Sequence, residues 1–190
     1  MKILIISSNL IGDTLLSTGV IKNLSIKYPN ARFTIVIGPT AKSIFKNFKL
    51  AEKIITIKKK KYNMHWINIL LRCFGKKWDI IVDFRSSLLS YFLPHATKYI
   101  FKKNNISNQI QQLSDFFKFD CSNLFIETSK NEEEIVENNI SKKFDYFVIF
   151  PGGNWNPKIW SPANYNKLIK SIILNNDNIK FILVGSNKEE

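Results

Sequence analysis

Met1-Lys2-Ile3-Leu4-Ile5-Ile6-Ser7-Ser8-Asn9-Leu10-Ile11-Gly12-Asp13-Thr14 opens the chain and decides its fold. Residues 2–7 are a near-continuous apolar run rich in Ile with no polar alternation, as expected for a strand buried on both faces of a parallel sheet. Gly12 and Asp13 punctuate the run. Leu15, Leu16, Gly19, Val20, Leu24 and Tyr28 then recur at helical spacing, and Tyr28-Pro29-Asn30 closes that helix. Residues 32–37 form a second apolar strand, stopped by Gly38-Pro39. A strand–helix–strand unit of this length implies a right-handed parallel crossover.

Working outward, the alternation continues. Residues 40–48 read as a short helix, 53–57 as a strand, 62–74 as a helix and 78–84 as a strand. A helix over 87–93, a strand over 97–101, a helix over 108–117 and a charged helix over 132–139 follow. A fresh start comes at Asp145: strand 146–150, the turn Pro151-Gly152-Gly153, helix 163–175 and strand 180–184, ended by Gly185. Alternation restarted once predicts two doubly wound α/β domains in tandem, residues 1–140 and 141–190. The second holds a single strand–helix–strand unit, which is too small to close a core by itself. It either joins the first sheet or continues in a gene product longer than 190 residues.

Composition narrows the classes. A hydrophobic share of 45% is that of a globular protein, and no apolar run approaches the ~18–20 residues that span a bilayer. The opening run is short for a signal peptide and flows into a helix without a small-residue cleavage site, so a cytoplasmic protein is expected. Cys73 and Cys121 stand far apart in no metal or redox spacing and read as core residues. His65 and His95 are isolated, so no zinc motif can be assembled. The net charge of +13 favours a polyanionic partner, although a Lys-, Asn- and Ile-rich composition accounts for part of it.

In an open α/β sheet, ligands bind beyond the carboxyl ends of the strands. The loop around Asp13 has one glycine where a dinucleotide fingerprint needs three, which disfavours that cofactor. Asp13 has two readings: a cap on the following helix, or a carboxylate at a cleft mouth that takes a proton from a hydroxyl. Phe150-Pro151-Gly152-Gly153-Asn154-Trp155-Asn156-Pro157-Lys158-Ile159-Trp160-Ser161-Pro162 offers backbone N–H groups at Gly152 and Gly153 and a mobile charge at Lys158, suited to phosphate; the alternative is a surface turn packed on Trp160. Asp83-Phe84-Arg85 ends the fourth strand, where Asp83 and Arg85 either orient a polar acceptor or satisfy one another. The run Lys58-Lys59-Lys60-Lys61 precedes a helix with two apolar faces. Tyr62, Trp66, Ile69 and Cys73 form one; Met64, Ile67, Leu71 and Phe74 form the other. One face suffices for packing on a sheet, so the segment could lie on an anionic membrane; the alternative is a buried helix after a solvated lysine loop.

Residues 1–5, Ile11-Gly12-Asp13-Thr14-Leu15-Leu16-Ser17-Thr18 and Tyr28-Pro29-Asn30-Ala31-Arg32-Phe33-Thr34 resemble the opening of the glycosyltransferase family 9 heptosyltransferases. Pro151-Gly152-Gly153 with Lys158-Ile159-Trp160-Ser161-Pro162 resembles the start of their second domain, and Trp78-Asp79-Ile80-Ile81-Val82-Asp83-Phe84-Arg85 also fits. The resemblance implies a GT-B fold of two Rossmann-like domains with the active site between them. Residues 1–140 would take a lipopolysaccharide inner-core acceptor, and residues 141–190 would begin the domain for a nucleotide-sugar donor, ADP-linked, with no cofactor or essential metal. Asp13 would be the catalytic base of an inverting transfer, and Lys158 with Gly152 and Gly153 would hold the donor's phosphates. Asn9, Gly12, Asp83 and Arg85 are the candidate acceptor-side residues. The family's later donor motifs are absent, so a truncated second domain is expected. The expected location is cytoplasmic, peripheral at the inner face of the inner membrane. The rival is a non-catalytic remnant or cationic module for anionic glycan, lipid surface or nucleic acid, the last disfavoured.

Overall fold

The structure is a computed structural model that describes residues 1–57, 64–153, 156–174, 176 and 178–185, without the side chains of Met64, His65 and Lys158. The lysine run 58–61, Tyr62, Asn154, Trp155, Asn175 and the tail 186–190 lie outside the described residues.

Strand β1 (Lys2–Ile6) is the centre of a five-stranded sheet in the order β3-β2-β1-β4-β5, with β2 at Arg32–Ile37, β3 at Ala51–Thr56, β4 at Trp78–Asp83 and β5 at His95–Ile100. Every pairing is parallel. The unalternating Ile-rich run is explained by this position: Ile3, Leu4, Ile5 and Ile6 are all fully buried. Successive side chains serve opposite faces. Ile3 and Ile5 pack in one core with Val20, Ile21 and Leu24 of α1 (Ile11–Lys27) and with Phe33, Ile35 and Ile37. Leu4 and Ile6 pack in the other with Ile69 and Cys73 of α2 (Met64–Cys73), Trp78 and Ile81. Each such side chain contributes about 1.5–3 kcal/mol on burial, so covering both faces is the main stabilising term. The chain runs outward from β1 to β3 and then returns to β4, which lies on β1's other side. The carboxyl ends of β1 and β4 therefore flank a topological switch point, where such sheets open a crevice.

Two elements are tighter or shorter than their sequence reading. The helix expected over 40–48 is a 3-10 helix, Pro39–Phe45, in the tight connection between β2 and β3. The helix expected over 87–93 shrinks to α3 (Leu89–Phe92), because Asp83 takes the N–H and hydroxyl of Ser87 and holds the chain in a turn. Pro94 follows at once, and a proline restricts the residue before it to extended backbone. Helix α1 begins at Ile11, with Gly12 and Asp13 in its first turn, as the sequence reading placed Asp13. Helix α4 (Gln109–Phe117) starts at Asn108, whose Oδ1 accepts the N–H of Gln111 at 2.9 Å.

The chain divides into two compact units, Met1–Ser129 and Lys130–Glu190. The second contains α5 (Lys130–Asn139), β6 (Asp145–Ile149), α6 (Pro162–Ile173) and β7 (Ile179–Leu183), with β6 and β7 parallel. Ser161 caps α6 by accepting the N–H of Asn164 at 3.3 Å, and Pro162 stands at its first turn. Among the described residues of this unit none is buried, in keeping with one strand–helix–strand element on a two-stranded sheet.

Candidate active site at the carboxyl edge of the sheet

Asp13 is placed by α1, whose N-cap is Leu10 with no side-chain capping bond. Its carboxylate does not cap the helix. Oδ2 accepts from the Ser8 hydroxyl at 3.4 Å, and Oδ1 lies 3.5 Å from Nζ of Lys103. Ser8 is itself fixed, since its hydroxyl accepts the N–H of Leu10 at 3.1 Å. Asp13 is 33% exposed and Lys103 55%, so a ligand can reach both. An exposed pair at this distance is worth at most about 1 kcal/mol, and an incoming anion can take Lys103 away without much cost. Beneath the loop, Ser7, Thr14 and Ser17 form a buried hydroxyl cluster, with Ser17 Oγ donating to the Thr14 carbonyl at 2.7 Å.

Gly12 faces open space; a Cβ there would meet nothing within 4 Å. Local packing therefore does not require a glycine at this position. Gly38 is different. A Cβ on it would lie 2.6 Å from the Asn9 Cα, so the glycine lets the end of β2 press against the β1 loop. Thr40 completes that contact by donating its hydroxyl to the Asn9 carbonyl at 2.8 Å.

Asn9 and Arg85 are brought together across the switch point. Arg85 donates from a guanidinium nitrogen to Asn9 Oδ1 at 3.1 Å and stacks 5.2 Å above the Trp66 ring. Asp83 requires correction. The carboxylate is fully buried and is not paired with the Arg85 guanidinium. Oδ1 accepts the Arg85 backbone N–H at 2.8 Å, while Oδ2 accepts the Ser87 N–H at 2.8 Å and its hydroxyl at 2.7 Å. Three donors satisfy the buried charge, so Asp83 shapes the turn that presents Arg85 and is out of reach of an acceptor. Between them Ser86 sits at φ 50, a left-handed conformation unusual for serine, held there as its hydroxyl donates to the Phe101 carbonyl at 2.9 Å.

Beside Arg85, an apolar cavity of about 530 Å³ opens between α2 and α3, lined by Trp66, Ile67, Leu70, Leu88, Leu89 and Phe92. The two free cysteines are core residues. Burial pushes the Cys73 thiol up to about 11 against the nearby Lys53 and Lys76, and burial also raises that of Cys121. Among the described residues no three His, Cys, Asp or Glu side chains are grouped to hold a metal ion, and none of the helices is long and apolar enough to cross a membrane.

In the second unit, Gly152 and Gly153 follow β6 and are exposed. A Cβ on Gly153 would make only an ordinary 3.7 Å contact with Ile159. Lys158 ends a short 3-10 helix, Asn156–Lys158, and its side chain lies outside the described residues. Trp160 stacks edge-on with Tyr165 of α6, at a centroid distance of 5.0 Å. What sequence reading missed in the first unit is Lys103: it stands 90 residues from Asp13, and no local signal announces the pair. Ser8 was visible within the loop, but its bond to Asp13 was not.

No family model matches the chain, and no curated protein does. Solved structures do. The glycosyltransferase family 9 protein of Veillonella parvula DSM 2008 superposes with a TM-score of 0.76 at 15% identity, over 99% of this chain and 64% of that one. ADP-heptose lps heptosyltransferase II of E. coli gives 0.67 at 16%, over 100% of this chain and 66% of that one. E. coli heptosyltransferase WaaC, solved with ADP-2-deoxy-2-fluoro heptose, gives 0.66 at 15%, over 100% and 71%. This chain thus spans just under two thirds of the first two proteins. At these identities the shared property is the fold, and the α/β, GT-B-type expectation holds at that level.

Proposed function

We propose that the protein is a glycosyltransferase that moves a heptose or related sugar from an ADP-sugar to the lipopolysaccharide inner core with inversion. The observation that carries this reading is Asp13: a ligand-accessible carboxylate, free of helix capping, at the switch point of a sheet shared with heptosyltransferases. In the proposed step Asp13 takes the proton from an acceptor hydroxyl, whose oxygen attacks the anomeric carbon. The bond from that carbon to the diphosphate oxygen breaks, and ADP leaves with the electron pair. Lys158, with the backbone at Gly152 and Gly153, would stabilise charge on the departing phosphates. Asn9 and Arg85 would orient the acceptor beside the open face of Gly12, and Lys103 would meet an anionic acceptor group. The donor enters as substrate, with no further cofactor. The place of work would be cytoplasmic, peripheral on the anionic inner face of the inner membrane, with nucleic acid disfavoured as a partner.

The test is transfer from ADP-heptose to deacylated lipopolysaccharide core, with donor affinity measured calorimetrically. Asp13→Ala should bind donor nearly as the unaltered protein does and lose at least ~100-fold in transfer rate. Undiminished turnover in that variant would overturn the base assignment. Absence of transfer by the unaltered protein from any ADP-sugar would overturn the transferase reading.

A further inference from the structure

Helix α2 carries two apolar stripes, and the fold uses only one. Ile69 and Cys73 are buried against the sheet. Ile67, Leu71 and Phe74 recur at helical spacing on another side and are 51%, 71% and 63% exposed. Next to them the cavity between α2 and α3 is walled by exposed Leu88 and Phe92. A contiguous exposed apolar surface of this kind marks an interaction site. Its borders are cationic. Arg85 lines the cavity, and Lys98 lies 4.0 Å over the exposed Tyr91 ring. Apolar side chains rimmed by positive charge match the layering of a bilayer whose surface is anionic.

We propose that the cavity between α2 and α3 seats an acyl chain of an anionic phospholipid, with Ile67, Leu71 and Phe74 entering the bilayer and Lys98 meeting a phosphate. The cavity's volume of about 530 Å³ lies within the range of small-molecule sites. A second copy of the chain, or a partner helix, would use the apolar walls and leave the cationic rim without a role. The proposal deepens the membrane-contact part of the function above and rests on that part alone. Vesicle binding needs no donor or sugar transfer, so the two can fail separately.

The experiment is co-sedimentation of the 190-residue protein with vesicles of phosphatidylglycerol and phosphatidylcholine, against phosphatidylcholine alone. The unaltered protein should prefer the anionic vesicles. Leu88→Glu, Phe92→Glu and Leu71→Glu, all at exposed positions, should each weaken binding at least tenfold, while Ile26→Glu, at a 69% exposed position on α1, should not. Brominated acyl chains should quench fluorescence of the unaltered protein and quench Trp66→Phe less. Equal binding by the cavity variants, an equal loss in Ile26→Glu, or quenching indifferent to Trp66 would overturn the proposal. Self-association abolished by Leu88→Glu with vesicle binding intact would assign the cavity to a second copy and overturn it as well.

Discussion

Replacing Gly19 by alanine opposes two effects whose sizes the structure sets. Helix propensity favours alanine in mid-helix by about 1 kcal/mol. Against this, a Cβ on Gly19 would lie 2.0 Å from the Cys121 carbonyl oxygen and 2.8 Å from its carbon. Both are backbone atoms, and ordinary contact needs about 3.5 Å. Helix α1 or the Cys121 segment must therefore move by more than ~1 Å, which overpacking data price at about 1–3 kcal/mol. The movement also strains the bonds that tie the two together. Asn23 Nδ2 donates to the Asp120 carbonyl at 2.8 Å, Lys22 Nζ to Asn123 Oδ1 at 2.7 Å, and the Phe125 N–H to Thr18 Oγ1 at 3.1 Å. At roughly 1 kcal/mol each, losing two of the three brings the net change to about 3 kcal/mol of destabilisation. Urea unfolding followed by far-ultraviolet dichroism and by the fluorescence of buried Trp78 should show a lower midpoint with unchanged slope. The site should register the change too, because α1 carries Asp13 in its first turn. A Gly19→Ala protein as stable as the unaltered one, or more so, would refute the close approach of α1 to Cys121.

Two further outcomes follow from buried groups. Asp83→Ala leaves the N–H groups of Arg85 and Ser87 and the Ser87 hydroxyl without their acceptor, and should cost about 3 kcal/mol or more in thermal unfolding; a loss under ~1 kcal/mol would contradict the buried carboxylate. Cys73, with its thiol raised to about 11 from 9.0 by burial, keeps its proton in the folded state after the unfolded chain has begun to lose it. Its contribution is therefore complete below pH ~9 and falls as pH rises toward 11, by at most about 3 kcal/mol in all. Alkaline unfolding of Cys73→Ala should lack this component, and an unchanged alkaline slope would refute it.

Much of the fold was legible because it follows from local rules. The unalternating run at residues 3–6 reads as a strand covered on both faces, and all four side chains are fully buried. Of the two apolar faces assigned to the helix after the lysine run, Ile69 and Cys73 of one are buried and Ile67, Leu71 and Phe74 of the other are exposed, while Tyr62 and the Met64 side chain lie outside the described residues. Over residues 87–93 local pattern failed because a short-range polar bond intervened. The helix expected over 87–93 lost its first turn to Asp83, and the spacing of apolar residues carries no trace of that carboxylate's choice of partners.

The site divides in the same way. Sequence by itself determined that Asp13, Asn9 and Arg85 end or follow strands, and so belong to the carboxyl edge where a parallel sheet accepts ligands. Only the tertiary structure decided their partners: Asp13 with Ser8 and Lys103, Arg85 with Asn9 and Trp66, and Asp83 turned inward. The physical reason is that strand and helix periods are set by neighbours along the chain. A polar side chain, by contrast, bonds whatever donor the strand order brings within about 3 Å, and strand order is a property of the whole sheet.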